Sequence, residues 1–372
     1  MRRLAPAFPA PLAAAELAER IDRDLRELAA PLRSARQIAV IVEDNSRPTV
    51  TGPLVDRLLC GIKRLRGAKD RTDLVVAAGA HYQNLTAAQQ FRKLGGEQRP
   101  FLFHDATAEA ELVQVGTSRA GIPFWVNRRV AEADLRLAVG TVNIHPLAGF
   151  SGGAKILLPG VAGLATIEAL HALPEGIPGK ADCAMRQLMQ ELLARLPVHF
   201  AWQLLSRSDG AIYGYYSGLL AEAHARARTA LRAVATVAPP PEPLGWVLAG
   251  CRPFHQNLLG SFKALAQLKR LPRPAAVILG NETPDGRGKH HWRNQAAVVT
   301  AQREQYARRF SGVKVWLYAP RAAVRDFTEL FPAEFQLLKT FPELLEVLES
   351  IPPGVPVNLA PYAPVTLFGG SL

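Results

Sequence analysis

Residues 37–42 read QIAVIV, and the polar stretch EDNSRP follows directly at 43–48. An uninterrupted apolar run of this length indicates a strand that is buried on both faces, as in a parallel sheet. Apolar residues then recur at helical spacing over 55–65, and a second buried run, DLVVAA, occupies 73–78. Strands that alternate with helices in this way predict an α/β fold whose sheet is mainly parallel.

Polar side chains stand where three of these apolar runs end. Asp44 and Arg47 follow the first run, and His81 follows the second. A third run, LRLAVG at 135–140, leads to His145. Parallel strands present their carboxyl ends at one edge of the sheet, and α/β proteins bind ligands there. We therefore expect these side chains to converge on one crevice.

A proline-rich segment, APPPEPL at 238–244, predicts a stiff linker between two domains. Further strand candidates lie beyond it at 245–250, 275–279 and 313–318. The sequence therefore predicts a first α/β domain over 1–238 and a second, smaller α/β domain over 245–372.

The bulk composition excludes several classes of protein. With 48% apolar and 20% charged residues, the chain is expected to be folded rather than disordered. No run reaches the roughly 18 uninterrupted apolar residues of a membrane span, so we expect no membrane partner. The net charge of +12 permits anion binding. However, the arginines are scattered and no aromatic and basic RNA-binding module is visible, so we expect no nucleic-acid partner.

The cysteines and the N-terminal segment favour a cytoplasmic location. The cysteines are far apart and form no CxxC pair: Cys60, Cys183 and Cys251. Such sparse cysteines fit a reducing compartment. The Arg2-Arg3 pair and the apolar residues after it superficially resemble a signal peptide. Three prolines between residues 6 and 11 would break the helix that a signal peptide usually forms.

The densest candidate site is the stretch GFSGGAK at 149–155. Consecutive glycines let backbone N–H groups approach an anion closely, and the start of a following helix favours negative charge. Ser151, Gly152 and Gly153 could therefore cradle a phosphate, but a tight turn with Lys155 at the surface explains the same residues equally well. The stretch is not a P-loop, because Ile156 rather than Ser or Thr follows the lysine.

Several histidines are candidates for acid/base or metal-binding roles. His81 and His145 end predicted strands, His104 has a similar position, and His171 lies on or near a short helix. Taken singly, such a histidine is more often structural than functional. The pair His290–His291 follows a polar loop and could bind a metal or nothing. HExxH and paired CxxC motifs are absent, so zinc hydrolase chemistry has no support.

Four ordered motifs together resemble the nickel-dependent lactate racemase family. They are DNSRPT at 44–49, GAH at 79–81, GTVNIHPLAGFSGGAK at 140–155, and PGVAG at 159–163 with His171 after it. The resemblance extends from about residue 38 to 171, and more faintly through the second domain. Four motifs in order are far more specific than any one of them. The resemblance implies a racemase or epimerase of a small 2-hydroxy acid, with its site in the cleft between two α/β domains.

The resemblance also implies a cofactor. In this family it is a nickel-pincer mononucleotide, a pyridinium-3-thioamide-5-thiocarboxylic acid mononucleotide that holds nickel through carbon and two sulfurs. Lys155 would be its covalent tether, and His171 would be the fourth nickel ligand, since imidazole suits nickel. Cofactor-synthesis enzymes would then be partners during maturation. The further residues expected to contact the cofactor are Asp44, Ser151, Gly152 and Gly153.

The catalytic residues implied by the resemblance are two histidines and two cations. His81 and His145 would act as acid/base groups on opposite faces of the substrate, so that either enantiomer meets a base. Arg47 offers a bidentate fork for the substrate carboxylate, and Lys263 resembles the second-domain lysine that faces the cleft.

The chain departs from the family pattern at positions that contact substrate. Tyr82 follows His81 where the family often has arginine, and Gly260 stands where a glutamine usually precedes the second-domain lysine by three residues. We expect these departures to alter specificity more than activity. Two alternatives remain open: a non-catalytic carrier of the cofactor or of an acidic metabolite, and a metal-free enzyme that binds a phosphate at residues 151–153.

Overall fold

The computed structural model describes residues 1–82, 85–96, 100–238 and 241–368. By internal contacts the chain divides into two compact units. The first unit comprises Phe8–Asn143 and Leu147–Leu231, and the second comprises Met1–Ala7, Ile144–Pro146 and Arg232–Leu372. None of the described helices is long and apolar enough to cross a membrane.

The strands of the described residues are short and are spread along the whole chain. They are β1 (Arg2–Arg3), β2 (Ile38–Glu43), β3 (Thr72–Ala77), β4 (Leu102–Phe103), β5 (Leu112–Thr117), β6 (Pro123–Asn127), β7 (Leu135–Thr141), β8 (Ile144–His145), β9 (Gly149–Phe150), β10 (Phe200–Ser206), β11 (Ile212–Gly218), β12 (Thr236–Val237), β13 (Trp246–Gly250), β14 (Ala276–Gly280), β15 (Lys314–Tyr318), β16 (Gln336–Leu338), β17 (Val357–Ala360) and β18 (Leu367–Phe368).

The α-helices alternate with most of these strands. They are α1 (Ala14–Glu27), α2 (Ala29–Ser34), α3 (Gly52–Arg66), α4 (Ala87–Leu94), α5 (Arg128–Glu132), α6 (Leu164–His171), α7 (Ala184–Arg195), α8 (Leu220–Ala235), α9 (Ser261–Leu268), α10 (Ala296–Arg309), α11 (Val324–Leu330) and α12 (Phe341–Glu349).

The sheet of the first unit has the strand order β11-β10-β7-β2-β3-β4. All neighbouring pairs are parallel except β10 and β11, which form an antiparallel edge. β2 and β7 are buried along their whole lengths, as the uninterrupted apolar runs predicted. Their side chains pack in a core with the apolar faces of α1 and α3. The carboxyl ends of β2, β3 and β7 therefore lie side by side, which sets the place of the candidate site.

The second unit is a parallel sheet with the strand order β1-β17-β13-β14-β15-β16. Aromatic stacking is prominent in its core, where the rings of Phe262 and Phe331 lie 4.9 Å apart. A separate cluster includes the stacked pair Trp246 and Trp316, 5.3 Å apart. Both units thus have mainly parallel sheets with helices between the strands, and the predicted α/β fold class is confirmed.

The first two helices meet near Pro31, a residue type that usually ends a helix. Here α1 ends at Glu27, and Pro31 lies in the first turn of α2. Proline fits there, because the first N–H groups of a helix have no partner within it. The contact division falls inside α8, and Met1–Ala7 joins the second unit because β1 pairs with β17.

The predicted linker at 238–244 and the domain boundaries 1–238 and 245–372 remain predictions. Pro239 and Pro240, at the centre of that linker, lie outside the described residues.

Candidate active site

An aspartate and a histidine meet where β2 and β3 end. Asp44 directly follows β2. His81 follows β3 in a tight turn, where the His81 backbone N–H donates to the carbonyl of Ala78. The Asp44 Oδ2 and His81 Nδ1 atoms lie 2.7 Å apart. Ser46 donates to the other carboxylate oxygen of Asp44, through both its hydroxyl and its backbone N–H. The convergence predicted for these two strand ends is therefore present within the first unit.

The electrostatics of this pair favour one arrangement of protons. Burial works to raise the pKa of Asp44, but the charge and hydrogen bond of His81, with the hydrogen bond from Ser46, hold that pKa well below its usual range. An ionised carboxylate only accepts hydrogen bonds. His81 must therefore donate from Nδ1, and in the neutral ring the lone pair lies on Nε2. Since the side chain of His81 is 34% exposed, the ring is accessible to a ligand.

Arg47 belongs to the same loop. Its Nη1 atom donates to the Ser46 hydroxyl over 2.9 Å and to the Ser46 carbonyl over 3.3 Å. Ser46 therefore links the arginine to Asp44, and the loop holds a cation and an oriented histidine close together. The contact predicted between Asp44 and a cofactor stays a prediction, because protein donors engage both of its oxygens in this structure.

The glycine-rich stretch is braced by the strand end that precedes it. The Ser151 hydroxyl donates to the carbonyl of Thr141 and accepts from the backbone N–H of Asn143. The Gly153 N–H donates to Oε1 of Gln203 over 2.7 Å. These groups make hydrogen bonds inside the protein, so they support the tight-turn interpretation. Contacts of Ser151, Gly152 and Gly153 with a cofactor stay predictions.

Two buried side chains, Arg186 and His224, donate hydrogen bonds to the carbonyls of this loop. The Arg186 guanidinium donates to the carbonyls of Ala148, Phe150 and Gly152. His224 donates from Nε2 to the Ser151 carbonyl over 3.0 Å. Burial, followed by the repulsion of Arg186, lowers the pKa of His224 to about 3, so this histidine is neutral. We call Arg186 and His224 the loop clamp.

Backbone hydrogen bonds connect Lys155 with the turn that carries His81. The Gly160 N–H donates to the Lys155 carbonyl over 3.1 Å, and the Gly79 N–H donates to the Gly160 carbonyl over 2.9 Å. A side chain at Gly79 would meet the Pro159 carbonyl at 3.3 Å, so the two loops pack closely. Lys155 itself is half-buried. The first unit thus brings the proposed tether and the proposed base onto adjoining loops.

His171 is the last residue of α6. Its Nδ1 atom lies 2.7 Å from the carbonyl oxygen of Ile167, one turn earlier, so Nδ1 carries the proton and donates. The lone pair of the neutral ring is then on Nε2, the arrangement that metal-binding histidines usually have. A second histidine holds the backbone just before α6: His104 donates from Nε2 to the Ala162 carbonyl over 2.9 Å.

His104, which shares the strand-end position of His81, is a structural residue. Its side chain is fully buried, and burial lowers its pKa. His290 also has a local role, because Nδ1 accepts the backbone N–H of Arg293. Across residues 1–82, 85–96, 100–238 and 241–368, no three His, Cys, Asp or Glu side chains form a group that could hold a metal ion.

Two predicted catalytic residues belong to the second unit. His145 lies in the segment Ile144–Pro146, which groups with that unit, and is half-buried. Lys263 lies in the first turn of α9, where its Nζ atom is 3.5 Å from the ring centroid of Phe254. That these residues face His81 across a cleft stays a prediction.

The family glutamine that Gly260 replaces could not be restored here without rebuilding the backbone. A Cβ atom at this position would lie only 1.7 Å from the carbonyl oxygen of Phe254. The departure at Gly260 is therefore part of the local fold.

Two groups near the site were not anticipated from the sequence. A buried pair of Glu43 and Lys93 lies beneath the Asp44 loop, with the two side chains 3.0 Å apart. The buried amide of Asn143 has an Nδ2 atom without a hydrogen-bond partner in the part of the chain that is described. The only available signal was the position of Glu43 and Asn143 at the ends of apolar runs.

Comparison with protein families gives a match to the lactate racemase N-terminal domain over residues 10–179. Among curated proteins, the chain is 26% identical over 263 residues to a lactate racemase from Thermoanaerobacterium thermosaccharolyticum, which covers 68% of this chain and 61% of that protein. It is 35% identical over 153 residues to a lactate racemase from Lactiplantibacillus plantarum, covering 40% of this chain and 34% of that protein. The matched regions thus span less than two thirds of either relative.

Solved structures show the same fold. The lactate racemase apoprotein from Thermoanaerobacterium thermosaccharolyticum superposes with a TM-score of 0.77 at 21% identity, over 99% of this chain and 94% of that chain. A protein from Thermotoga maritima superposes with a TM-score of 0.72 at 16% identity, over 97% and 99% of the two chains.

Proposed function

We propose that this chain, whose residues 10–179 match the lactate racemase N-terminal domain, is an isomerase that inverts the carbinol carbon of a small 2-hydroxy acid. The observation that carries the proposal is the hydrogen bond between His81 and Asp44. It orients an accessible imidazole with its lone pair on Nε2, as a general base for a substrate hydroxyl requires.

The proposed division of labour uses two histidines. His81 would take the hydroxyl proton of one enantiomer and return a proton to the product of the reverse reaction. His145 would serve the other face in the same way. A planar 2-oxo acid can be approached from both faces, so two acid/base groups are needed for inversion in both directions. Arg47 and Lys263 would hold the carboxylate and keep the carbon chain fixed while the configuration changes.

The donor set fits a cofactor that brings most of its own metal ligands. His171 offers one oriented imidazole nitrogen, and no cluster of three donor side chains exists among the described residues. The unpartnered Asn143 amide also supplies a buried donor beside the glycine-rich stretch. We propose that Lys155 tethers the nickel-pincer mononucleotide and that His171 binds its nickel. When bound, this group would supply a hydride acceptor for C2 of the substrate.

The His81–Asp44 pair also favours an enzyme over a carrier of the cofactor. A carrier needs only the tether and the metal ligand, and gains nothing from a histidine oriented by a buried carboxylate. The Ser151 hydroxyl donates to the Thr141 carbonyl, and the Gly153 N–H donates to Gln203. These hydrogen bonds within the protein give no support to a metal-free phosphate site.

The cofactor proposal can be tested on protein coexpressed with the cofactor-synthesis enzymes. Intact-mass spectrometry should find an adduct in the wild type that Lys155→Ala lacks. Lys63→Ala, at an exposed lysine of α3, is the matched control and should keep the adduct. His171→Ala should keep the adduct but lose nickel, because only one metal donor is removed. An adduct on another lysine, or nickel retained in His171→Ala, would reject the assigned roles.

A further inference from the structure

A buried ion pair lies directly beneath the candidate site. Lys93, on α4, is fully buried, and its Nζ atom donates to Oε1 of Glu43 over 3.0 Å. Burial lowers the pKa of Lys93, while the charge and hydrogen bond of Glu43 oppose this shift. Neither residue takes part in the proposed chemistry. A buried charged pair is costly to maintain unless further hydrogen bonds satisfy its charges.

Glu43 joins the ends of two strands. It is the last residue of β2, and its carboxylate accepts the backbone N–H and the hydroxyl of Thr141, the last residue of β7, both over 2.7 Å. With Lys93, three donors converge on this carboxylate. The side chain therefore fixes the β2 end against the segment that continues to the glycine-rich stretch and Lys155.

A chain of hydroxyl groups extends this junction. The Thr141 and Thr49 hydroxyl oxygens lie 2.6 Å apart, and those of Thr49 and Ser206 lie 2.7 Å apart. The Thr141 hydroxyl has one proton, which is placed to reach either Glu43 or the Thr49 hydroxyl oxygen. The Thr49 hydroxyl is hydrogen-bonded in turn to that of Ser206. These hydroxyl groups thus connect the Glu43 carboxylate, which also accepts from Lys93, with the end of β10.

The end of α4 also holds the loop that carries Asp44 and Arg47. The Thr51 hydroxyl donates to the Lys93 carbonyl over 2.7 Å, and Arg92 donates to the Pro48 carbonyl. The charge of Asp44 also acts on Lys93. Because Asp44 is the next residue after Glu43, a change in the Glu43 side chain is transmitted through one peptide unit to the partner of His81.

We infer that Lys93 and Glu43 are positioning residues that set the Asp44 carboxylate and, through it, the proton arrangement of His81. They do not touch the substrate. Their consequence for catalysis rests on the proposed function, but their effect on the His81 ring does not. The inference therefore has a readout in the protein without cofactor.

The ring nitrogens of His81 report on the inference directly. Apoprotein labelled with ¹⁵N in its nine histidines would be measured at a pH where the imidazole is neutral, with His81→Gln to assign the signal. Wild type should show the proton on Nδ1. Glu43→Gln, Lys93→Met and the double variant should lose this preference, because the hydrogen bond to Asp44 is no longer held in place.

Matched controls separate positioning from stability. Arg66→Met removes another buried cation of the first unit, which donates to the carbonyls of Ala35 and Arg36. Asp24→Asn alters another buried carboxylate, which accepts from Trp202 and Tyr215. Both controls should unfold more easily than wild type but keep the Nδ1 proton on His81.

Lys93→Met alone leaves the Glu43 carboxylate buried without its cation and could fail to fold. The double variant, Glu43→Gln with Lys93→Met, leaves no unpaired buried charge and so keeps the test decisive. In the loaded enzyme, misplacing His81 should lower kcat roughly 10²-fold with little change in KM. An unchanged His81 signal in the double variant, or the same change in the two controls, would overturn the inference. Altered signals in a protein that never racemises a substrate would reject the proposed function and support the positioning role.

Discussion

His81 donates to a carboxylate, whereas His104 and His224 donate to backbone carbonyls. The last two are buried, and burial lowers the pKa of each ring, so both remain neutral parts of the framework. His81 keeps an accessible ring and an ionised partner. At the scale of single residues, the hydrogen-bond partner and the exposure of each histidine separate the base candidate from the structural residues.

The Asp44→Asn variant tests the role of the carboxylate. Asparagine keeps the size of the side chain but removes the negative charge beside His81 and weakens the acceptor for Nδ1–H. We expect kcat for racemisation to fall about 10²-fold or more, while the substrate KM changes little. Asp22→Asn, at a surface carboxylate paired with Arg57, should behave as wild type. Equal activity of the two variants would show that Asp44 does not support His81.

Sequence reasoning identified Asp44 and His81 separately, but not their pairing. Their positions at strand ends were visible, because apolar runs stop there. Their hydrogen bond joins residues 37 positions apart, and the Glu43–Lys93 pair spans 50 positions. No local pattern encodes such a contact. Lys93 in particular lies in a short helix with ordinary composition, and nothing in its neighbourhood predicts complete burial.

At the scale of elements, α7 and α8 support the glycine-rich stretch between Gly149 and Gly153. Arg186 comes from α7 and His224 from α8. Together, as the loop clamp, they donate to four carbonyls of one short loop, those of residues 148, 150, 151 and 152. Gly153 touches this clamp so closely that a Cβ atom would lie 2.6 Å from Nδ1 of His224. A side chain at residue 153 would therefore collide with His224 in its present position.

Because the loop clamp contains a buried neutral histidine, we expect the free energy of unfolding to fall in acid. The pKa of His224 is lowered to about 3 in the folded protein, below the value of about 6.5 in an unfolded chain. Its contribution is complete above about pH 6.5 and is lost as the pH falls towards about 3. The free energy of unfolding, measured with urea, should therefore decline by up to about 1.4 kcal/mol per pH unit from this group.

His224→Gln provides the comparison for that measurement. The glutamine amide can still donate to the Ser151 carbonyl but does not titrate. Its unfolding free energy should change less steeply with pH between 6 and 4 than that of wild type. Identical slopes in the two proteins would mean that His224 is not buried in a neutral state.

The strands of the parallel sheets were predictable, whereas the edge elements were not. β2, β3 and β7 are buried on both faces and so appear as continuous apolar runs. β10 and β11 mix apolar and polar residues, and they pair antiparallel. The antiparallel β5 and β6 likewise have only partly buried patterns. The apolar pattern thus predicted the central strands of the sheet but not the strands that flank them.

At the scale of the whole molecule, each unit has its own apolar core and its own parallel sheet. The candidate base, the proposed tether and the proposed nickel ligand belong to the first unit, while His145 and Lys263 belong to the second. The central strands of both sheets could be predicted from the sequence. The grouping of Ile144–Pro146 with the second unit could not, because three residues carry no pattern of their own.

The most direct test of the account is the fate of a single enantiomer labelled with deuterium at C2. Cofactor-loaded protein would be given lactate and several larger 2-hydroxy acids, and products would be separated by chiral chromatography with mass detection. We expect the opposite enantiomer of at least one substrate to appear with its deuterium largely retained, and His81→Ala to abolish this conversion. Failure of fully loaded protein to invert any of these acids, or inversion that persists in His81→Ala, would contradict it.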